Sequence, residues 1–293
     1  MTATPSPERS DVTDAVPVPR ASPAPAPTSI EPSTATPTPR LTTGPAPART
    51  RRGPGALAGH LLRQYSLVAL LMASLVFYGT WSQTATVFNQ AANFQNIAGS
   101  QSVLAVLTLG LIIPMISGNL DLSIGSIAGL SSIAAAGAYA DAGVPLFVGV
   151  LFGIAMGAIV GLVNGLVVTR FGIDSFIVTL GTASLILGGV NWYSKGNSII
   201  QGIPQGIITF GGGLTFGVPN LVYVLAIVAL GVWYLLEQTP YGRNLHAIGS
   251  NKAASRLVGI RVERDTCLAF VLSGGIAGLA GVLLLARSGA GNP

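Results

Sequence analysis

Only 14 of the 230 residues from position 64 onward are charged, and long stretches between them carry no charge at all. A soluble domain has about a quarter of its residues charged, because ionised side chains are what its surface offers to water. Half of the residues are apolar and the mean hydropathy is +0.63. The 38 glycines fall mostly inside the apolar runs. These features exclude a soluble enzyme and point to an all-α, polytopic transmembrane helical bundle.

The first 63 residues differ sharply. They hold 11 of the 25 charges, and residues 1–56 hold 13 of the 19 prolines, interleaved with Ala, Thr and Ser. Such a segment buries too little apolar surface to offset its ordering entropy, so 1–56 is expected to be a disordered tail, with the membrane domain at 57–293. Arg49, Arg51 and Arg52 close the tail, Arg63 stands just before the first apolar run, and together they place the N-terminus on the cytoplasmic side by the positive-inside rule. The net charge of +5 follows these membrane flanks and does not indicate nucleic acid.

Seven apolar stretches are candidate spans: 65–82, 98–117, 122–141, 146–168, 175–193, 219–236 and 267–286. Six crossings return the chain to the cytoplasm at 237–266, where Arg243, Lys252, Arg256, Arg261 and Arg264 cluster. The parity of the spans and the charges agree. The turns near 118–121 and 170–174 are short enough for a broken helix.

In the fourth span Gly149, Gly153, Gly157, Gly161 and Gly165 recur every fourth residue. Such a ridge admits a second backbone, which is how membrane helices associate without a hydrophobic driving force. Gly274 and Gly278 repeat the device in the seventh span. Asp121 is the only acid near spans two and three, in Gly118-Asn119-Leu120-Asp121-Leu122-Ser123. Capping the next helix and serving a transport path both remain open for it and for its neighbours Asn119 and Ser123. Thr179 and Thr182 can bond back to the preceding turn or line that path, and Asn191 closes the fifth span beside Trp192 and Tyr193.

No Asp, Glu, Lys or Arg lies deep in a predicted span, so a proton relay has no obvious members. No phosphate-binding glycine loop of the G-x-x-x-x-G-K-[ST] type occurs, so an energised transporter built on this chain needs its ATPase on another subunit. Cys267 is the only cysteine, and His60 and His246 are far apart. No metal site, cofactor or catalytic residue is expected. Within 237–266, Asn251 precedes Lys252-Ala253-Ala254-Ser255-Arg256-Leu257 and Gly259 follows, the pattern of a capped and stopped short helix. Docking into a partner's cleft and lying on the membrane surface are both open for it.

The segments Thr239-Pro-Tyr-Gly-Arg243 and Ala247-Ile-Gly-Ser-Asn-Lys-Ala-Ala-Ser-Arg-Leu-Val-Gly-Ile260 resemble the coupling loop of permease subunits of ribose- and xylose-type sugar ABC importers. Gly118–Ser126, Phe176–Thr182, Leu272–Gly281 and Gly289–Pro293 resemble the same family in the same order. The resemblance implies two ATPase subunits, a second permease copy, an extracytoplasmic sugar-binding protein and a bacterial inner-membrane location. It also implies alternating access for a monosaccharide. Gly249, Asn251, Ala253, Ala254, Leu257 and Gly259 would carry ATPase movement to the spans. A branched-chain amino-acid permease and a non-transporting scaffold are the alternatives. Asp174-Ser175 stand where the family pattern has prolines. Members of the family continue past the Asn-Pro pair, so the sequence is expected to be a fragment or a truncated product.

Overall fold

The computed structural model describes the backbone from Pro54 to Asn292 and the side chains from Tyr65 onward. The tail expected at 1–56 lies outside the described residues except for its last three, which open a helix. The helices are α1 (Pro54–Thr80), α2 (Ala85–Phe88), α3 (Ala91–Ile116), α4 (Ile124–Ala142), α5 (Leu146–Phe171), α6 (Ser175–Ser194), α7 (Gln205–Gly212), α8 (Asn220–Trp233), α9 (Pro240–Ser250), α10 (Lys252–Leu257) and α11 (Val262–Ser288). A π-turn at Tyr234–Gln238 prolongs α8. Strands β1 (Leu214–Thr215) and β2 (Val218–Pro219) form a small antiparallel hairpin, with Leu214 opposite Pro219.

A helix stands at each of the seven expected spans, but they are not alike. Five are long and apolar enough to cross a membrane: α3, α5, α6, α8 with its π-turn, and α11. The apolar part of α1, Tyr65–Thr80, is shorter. Helix α4 is built largely of Ala, Gly and Ser, and ten of its 19 residues are buried. An interior helix has no lipid to satisfy, so small side chains that let neighbours approach serve it better than large aliphatic ones. Glycines in the left-handed region end α4 at Gly143 (φ 59°) and α5 at Gly172 (φ 66°), where a Cβ would be strained.

Helix α11 is the most buried of the five spans and packs chiefly on α5, then on α4 and α3. The α5 ridge explains how it does so. A methyl group at Gly157 would run into the Gly274 carbonyl oxygen and lie 2.8 Å from Gly278 Cα. At Gly161 it would meet the Phe270 carbonyl oxygen, and at Gly165 it would lie 2.9 Å from the Cys267 carbonyl oxygen. Gly153 faces Val282 and the Ser131 carbonyl, whereas Gly149 lies under the Tyr139 ring. Backbone therefore touches backbone along most of the α5–α11 contact. On its other side α11 closes an apolar layer with α3 and α8 through Val106, Leu221, Ala280 and Leu283.

Candidate functional site

The linker Ser117–Ser123 between α3 and α4 lies at the end of the bundle that also carries the 237–266 segment, here called the loop end. Apart from its exposed Gly118, Leu120 and Leu122, the linker is buried, and polar groups from three helices hold it. Ser175 Oγ accepts the Leu120 N–H at 3.1 Å, and Thr179 Oγ1 accepts the Leu122 N–H at 3.1 Å. Both acceptors stand one turn apart on α6, and Thr179 returns its own proton to the Ser175 carbonyl at 2.8 Å. Helix α6 starts at Ser175 because Asp174 accepts the Phe176 N–H at 2.8 Å.

Asp121 Oδ1 accepts from Ser123 N–H at 3.0 Å and from Ser123 Oγ at 2.6 Å. It thus closes the linker's last turn and leaves the first amides of α4 uncapped by any side chain. Ser273 of α11 approaches its other oxygen at 3.5 Å. Burial pushes the Asp121 carboxyl above the ordinary aspartate value, and the bonds from Ser123 and Ser273 oppose that shift. Asn164 of α5 extends the network: its Nδ2 donates to Ser123 Oγ at 2.9 Å and its Oδ1 accepts from Thr182 at 2.7 Å. Asn119 donates to Ser117 Oγ at 2.8 Å.

Four of the six path residues inferred from sequence, Asp121, Ser123, Thr179 and Thr182, therefore meet in one polar knot tying the linker to α5, α6 and α11, while Asn119 bonds to Ser117 within the linker. Asn191 does not join it. It lies about 18 Å further along α6, at about 1.5 Å per residue, exposed, and donates to the Leu187 carbonyl. Sequence reasoning missed Ser175 and Ser273. Ser175 was readable as the first residue after a capping Asp; Ser273 had no local signal.

The 237–266 segment folds into two helices rather than the single short one expected. Thr239 caps α9 by accepting the Gly242 N–H at 3.2 Å, and Pro240 supplies the first turn. Tyr241 Oη donates to the Asp265 carbonyl at 3.0 Å. Burial, with the Asp265 charge second, pushes this phenol well above the ordinary tyrosine range. Asn251 caps α10, its Oδ1 accepting from the amides of Ala253 and Ala254, each at 3.0 Å. Gly259, at φ 85°, turns the chain back toward α11. Arg256 pairs with Glu263 across this turn.

Helix α10 is seated on one side only. Ser255 is buried, while Ala253, Ala254, Leu257 and Val258 face outward, Leu257 with 88% of its surface exposed. Gly249 sits against the end of α3, where a methyl group would strike the Ile116 carbonyl oxygen. The α9–α10 corner is thereby in direct contact with the last residue of α3, from which the linker departs. At the opposite end of the bundle, Ile199 and Gly291 exchange backbone hydrogen bonds and Arg287 donates to Asn96 Oδ1 at 2.7 Å. No group of His, Cys, Asp and Glu among the described residues could hold a metal ion.

Residues 93–293 match the family described as branched-chain amino acid transport system / permease component. The chain belongs to this permease family. It is a multi-pass membrane protein. The permease is 34% identical over 236 residues to the ribose import permease protein RbsC of Escherichia coli (strain K12), covering 80% of this chain and 72% of that protein. It is 34% identical to the autoinducer 2 import system permease protein LsrC of Enterobacter sp. (strain 638), over 78% of this chain and 66% of that one. Similarity to the D-allose transport system permease protein AlsC of Escherichia coli (strain K12) is 31% over 78% of this chain and 70% of that one. No solved structure gives a significant match.

Proposed function

We propose that the chain is the membrane-spanning subunit of an ATP-binding-cassette importer for a monosaccharide. It would stand in the bacterial inner membrane with the loop end in the cytoplasm, and it performs no covalent chemistry itself. Two ATPase subunits, a second permease copy and an external sugar-binding protein complete the assembly. Relatives that import ribose and allose favour a sugar over a branched-chain amino acid.

The observation that carries this reading is α10. A helix lying on a lipid surface would spread its apolar side chains along a long face, whereas α10 has six residues and offers only Ala253, Ala254, Leu257 and the adjoining Val258. That small, rigidly capped knob suits a cleft on a partner protein. Covering a Leu side chain contributes about 2 kcal/mol, so Leu257 alone is a useful anchor. Gly249 and Gly259 shape the entry and exit of the knob. In the cycle, ATPase closure would move α10. The movement would pass through Gly249 to the Ser117–Ser123 linker and through Val258–Arg261 to α11, switching which end of a central path is open. Binding protein loaded with sugar would favour one of those states over the other and so drive the switch. The knot around Asp121 would hold the linker in register with α6 during that change.

The test is a pull-down of tagged protein from native membranes in mild detergent, wild type beside Ala254→Glu. Wild type should bring down an ATPase subunit. The variant should lose it by at least about 100-fold, because a carboxylate forced unpaired into a docking cleft costs several kcal/mol. Equal recovery of the ATPase by both proteins would refute docking through α10.

A further inference from the structure

At the loop end a cleft of about 330 Å³ separates α10 from the bundle. Asn119, Ser175 and Thr266 line it from the bundle side, and Lys252 and Arg256 from the α10 side. Several of these groups have unused hydrogen-bonding capacity. Thr266 is only 3% exposed, yet its hydroxyl has no partner among the described residues. Ser175, also buried, spends its oxygen on the Leu120 amide and donates its proton to no described group. Asn119 uses its amide nitrogen on Ser117 and keeps its carbonyl oxygen free. Lys252 has no ion pair among the described residues. Asp174 commits one carboxylate oxygen, to the Phe176 amide.

An unmatched buried hydroxyl is costly, so a cleft that collects Thr266, which has no partner, and Ser175, whose proton is unspent, is built for something that bonds to them. The charges on its walls cancel: Lys252 and Arg256 stand against Asp174 and Glu263. An anion would meet the two carboxylates, a cation the two bases, and an apolar ligand would strand Ser175 and Thr266. A neutral molecule carrying several hydroxyls donates and accepts in turn and leaves none of them unmatched. The volume is at the small end for ligand sites and fits a single small solute.

We propose that this cleft binds a small uncharged polyhydroxylated solute, of the chemical class the permease carries, and that the bound solute ties α10 to the bundle. The inference rests on the sugar-importer reading for the class of ligand and for the cytoplasmic position of the cleft. Its consequence is feedback. If α10 must shift against the bundle in each cycle, a solute bonded to Lys252 on one wall and to Thr266 and Ser175 on the other holds it still. Cargo accumulating inside the cell would then slow its own import.

The chain has two lysines, Lys195 and Lys252, which makes the test clean. The purified assembly in detergent is treated with an amine-acylating reagent, and peptide mass spectrometry gives the labelling rate at each lysine. D-ribose, D-allose and inorganic phosphate are titrated separately. At least one of the two sugars should slow labelling of Lys252 at least about five-fold and leave Lys195 unchanged. ATP hydrolysis should fall over the same concentration range. Thr266→Val, which keeps the shape and removes the hydroxyl, should raise the concentration for half-protection about ten-fold, the loss of one hydrogen bond.

No protection of wild-type Lys252 by either sugar overturns the proposal, whether or not the variant folds. So does equal protection in Thr266→Val, and so does protection by phosphate in place of sugar. Failure to recover any ATPase with the chain would sink the importer reading instead. The two failures are told apart because Lys252 labelling reports occupancy of the cleft and not transport.

Discussion

Helix α5 offers five glycines to its neighbours, and each is met by a backbone atom or a side chain where a methyl group would stand. Helix α6, the next in sequence, offers Gly181, Gly188 and Gly189, and none has another atom within 4 Å of that position. Both helices are apolar and of spanning length. The difference lies in spacing. Glycines every fourth residue from Gly149 to Gly165 keep one narrow ridge bare for more than four turns, long enough for α11 to lie along it. The α6 glycines never form such a ridge, and the helix is held instead by its polar first turns and by Ile186 and Val190, buried against α4. Glycine content alone is thus uninformative about helix contacts in a membrane protein, whereas a sustained repeat identifies a helix that needs a partner.

The strongest way to break this comparison is a paired substitution. Gly157→Leu places a side chain against the carbonyl of Gly274, a backbone atom that cannot swing aside. The expected cost is about 3 kcal/mol or more, read as a large fall in detergent-solubilised yield and melting temperature. Gly188→Leu, pointing into open space, should leave both within error of wild type. Equal destabilisation by the two would mean that the α5–α11 seam is not what holds the bundle.

A smaller effect sharpens the account of α6. Asn164→Leu removes the donor to Ser123 and the acceptor for Thr182. Loosening of this corner should cost about 1–3 kcal/mol, and the amides of Leu120 and Leu122 should exchange hydrogen faster. Unchanged exchange would show that Ser175 and Thr179 hold the linker unaided. The smallest expected effect is at α10. Asn251→Ala should cost about 1 kcal/mol of local stability, seen as faster exchange at Ala253 and Ala254 with an unaltered melting temperature. A global drop in stability would mean that α10 is part of the folded core, not a knob resting on it.

The spans were legible because a charge-free run leaves a chain few alternatives, and the loop end because its arginines concentrate there. The cap at Asn251 and the stop at Gly259 were legible as local chemistry, since both act within three residues of their own position. Helix α9 could have been read the same way from Thr239-Pro240, a cap followed by a residue preset for a first turn. The interior status of α4 was harder: its composition resembles that of a weak span, and only the arrangement of its neighbours shows that it faces protein. The bonds from Ser175 and Thr179 to the linker were invisible. They join side chains to main-chain amides 55 and 57 residues away, and no local pattern records such a pairing.

The backbone-to-backbone seam between α5 and α11 has a mechanical consequence. With few side chains in between to shear or change rotamer, the two helices form a single stiff member, and neither can slide without carrying the other. The chain leaves α10 and enters α11 within four residues, Val258–Arg261. A displacement applied at Leu257 would then reach this strut through only those four residues. Any give would then have to come from the joints of that strut, such as Gly172–Asp174 between α5 and α6.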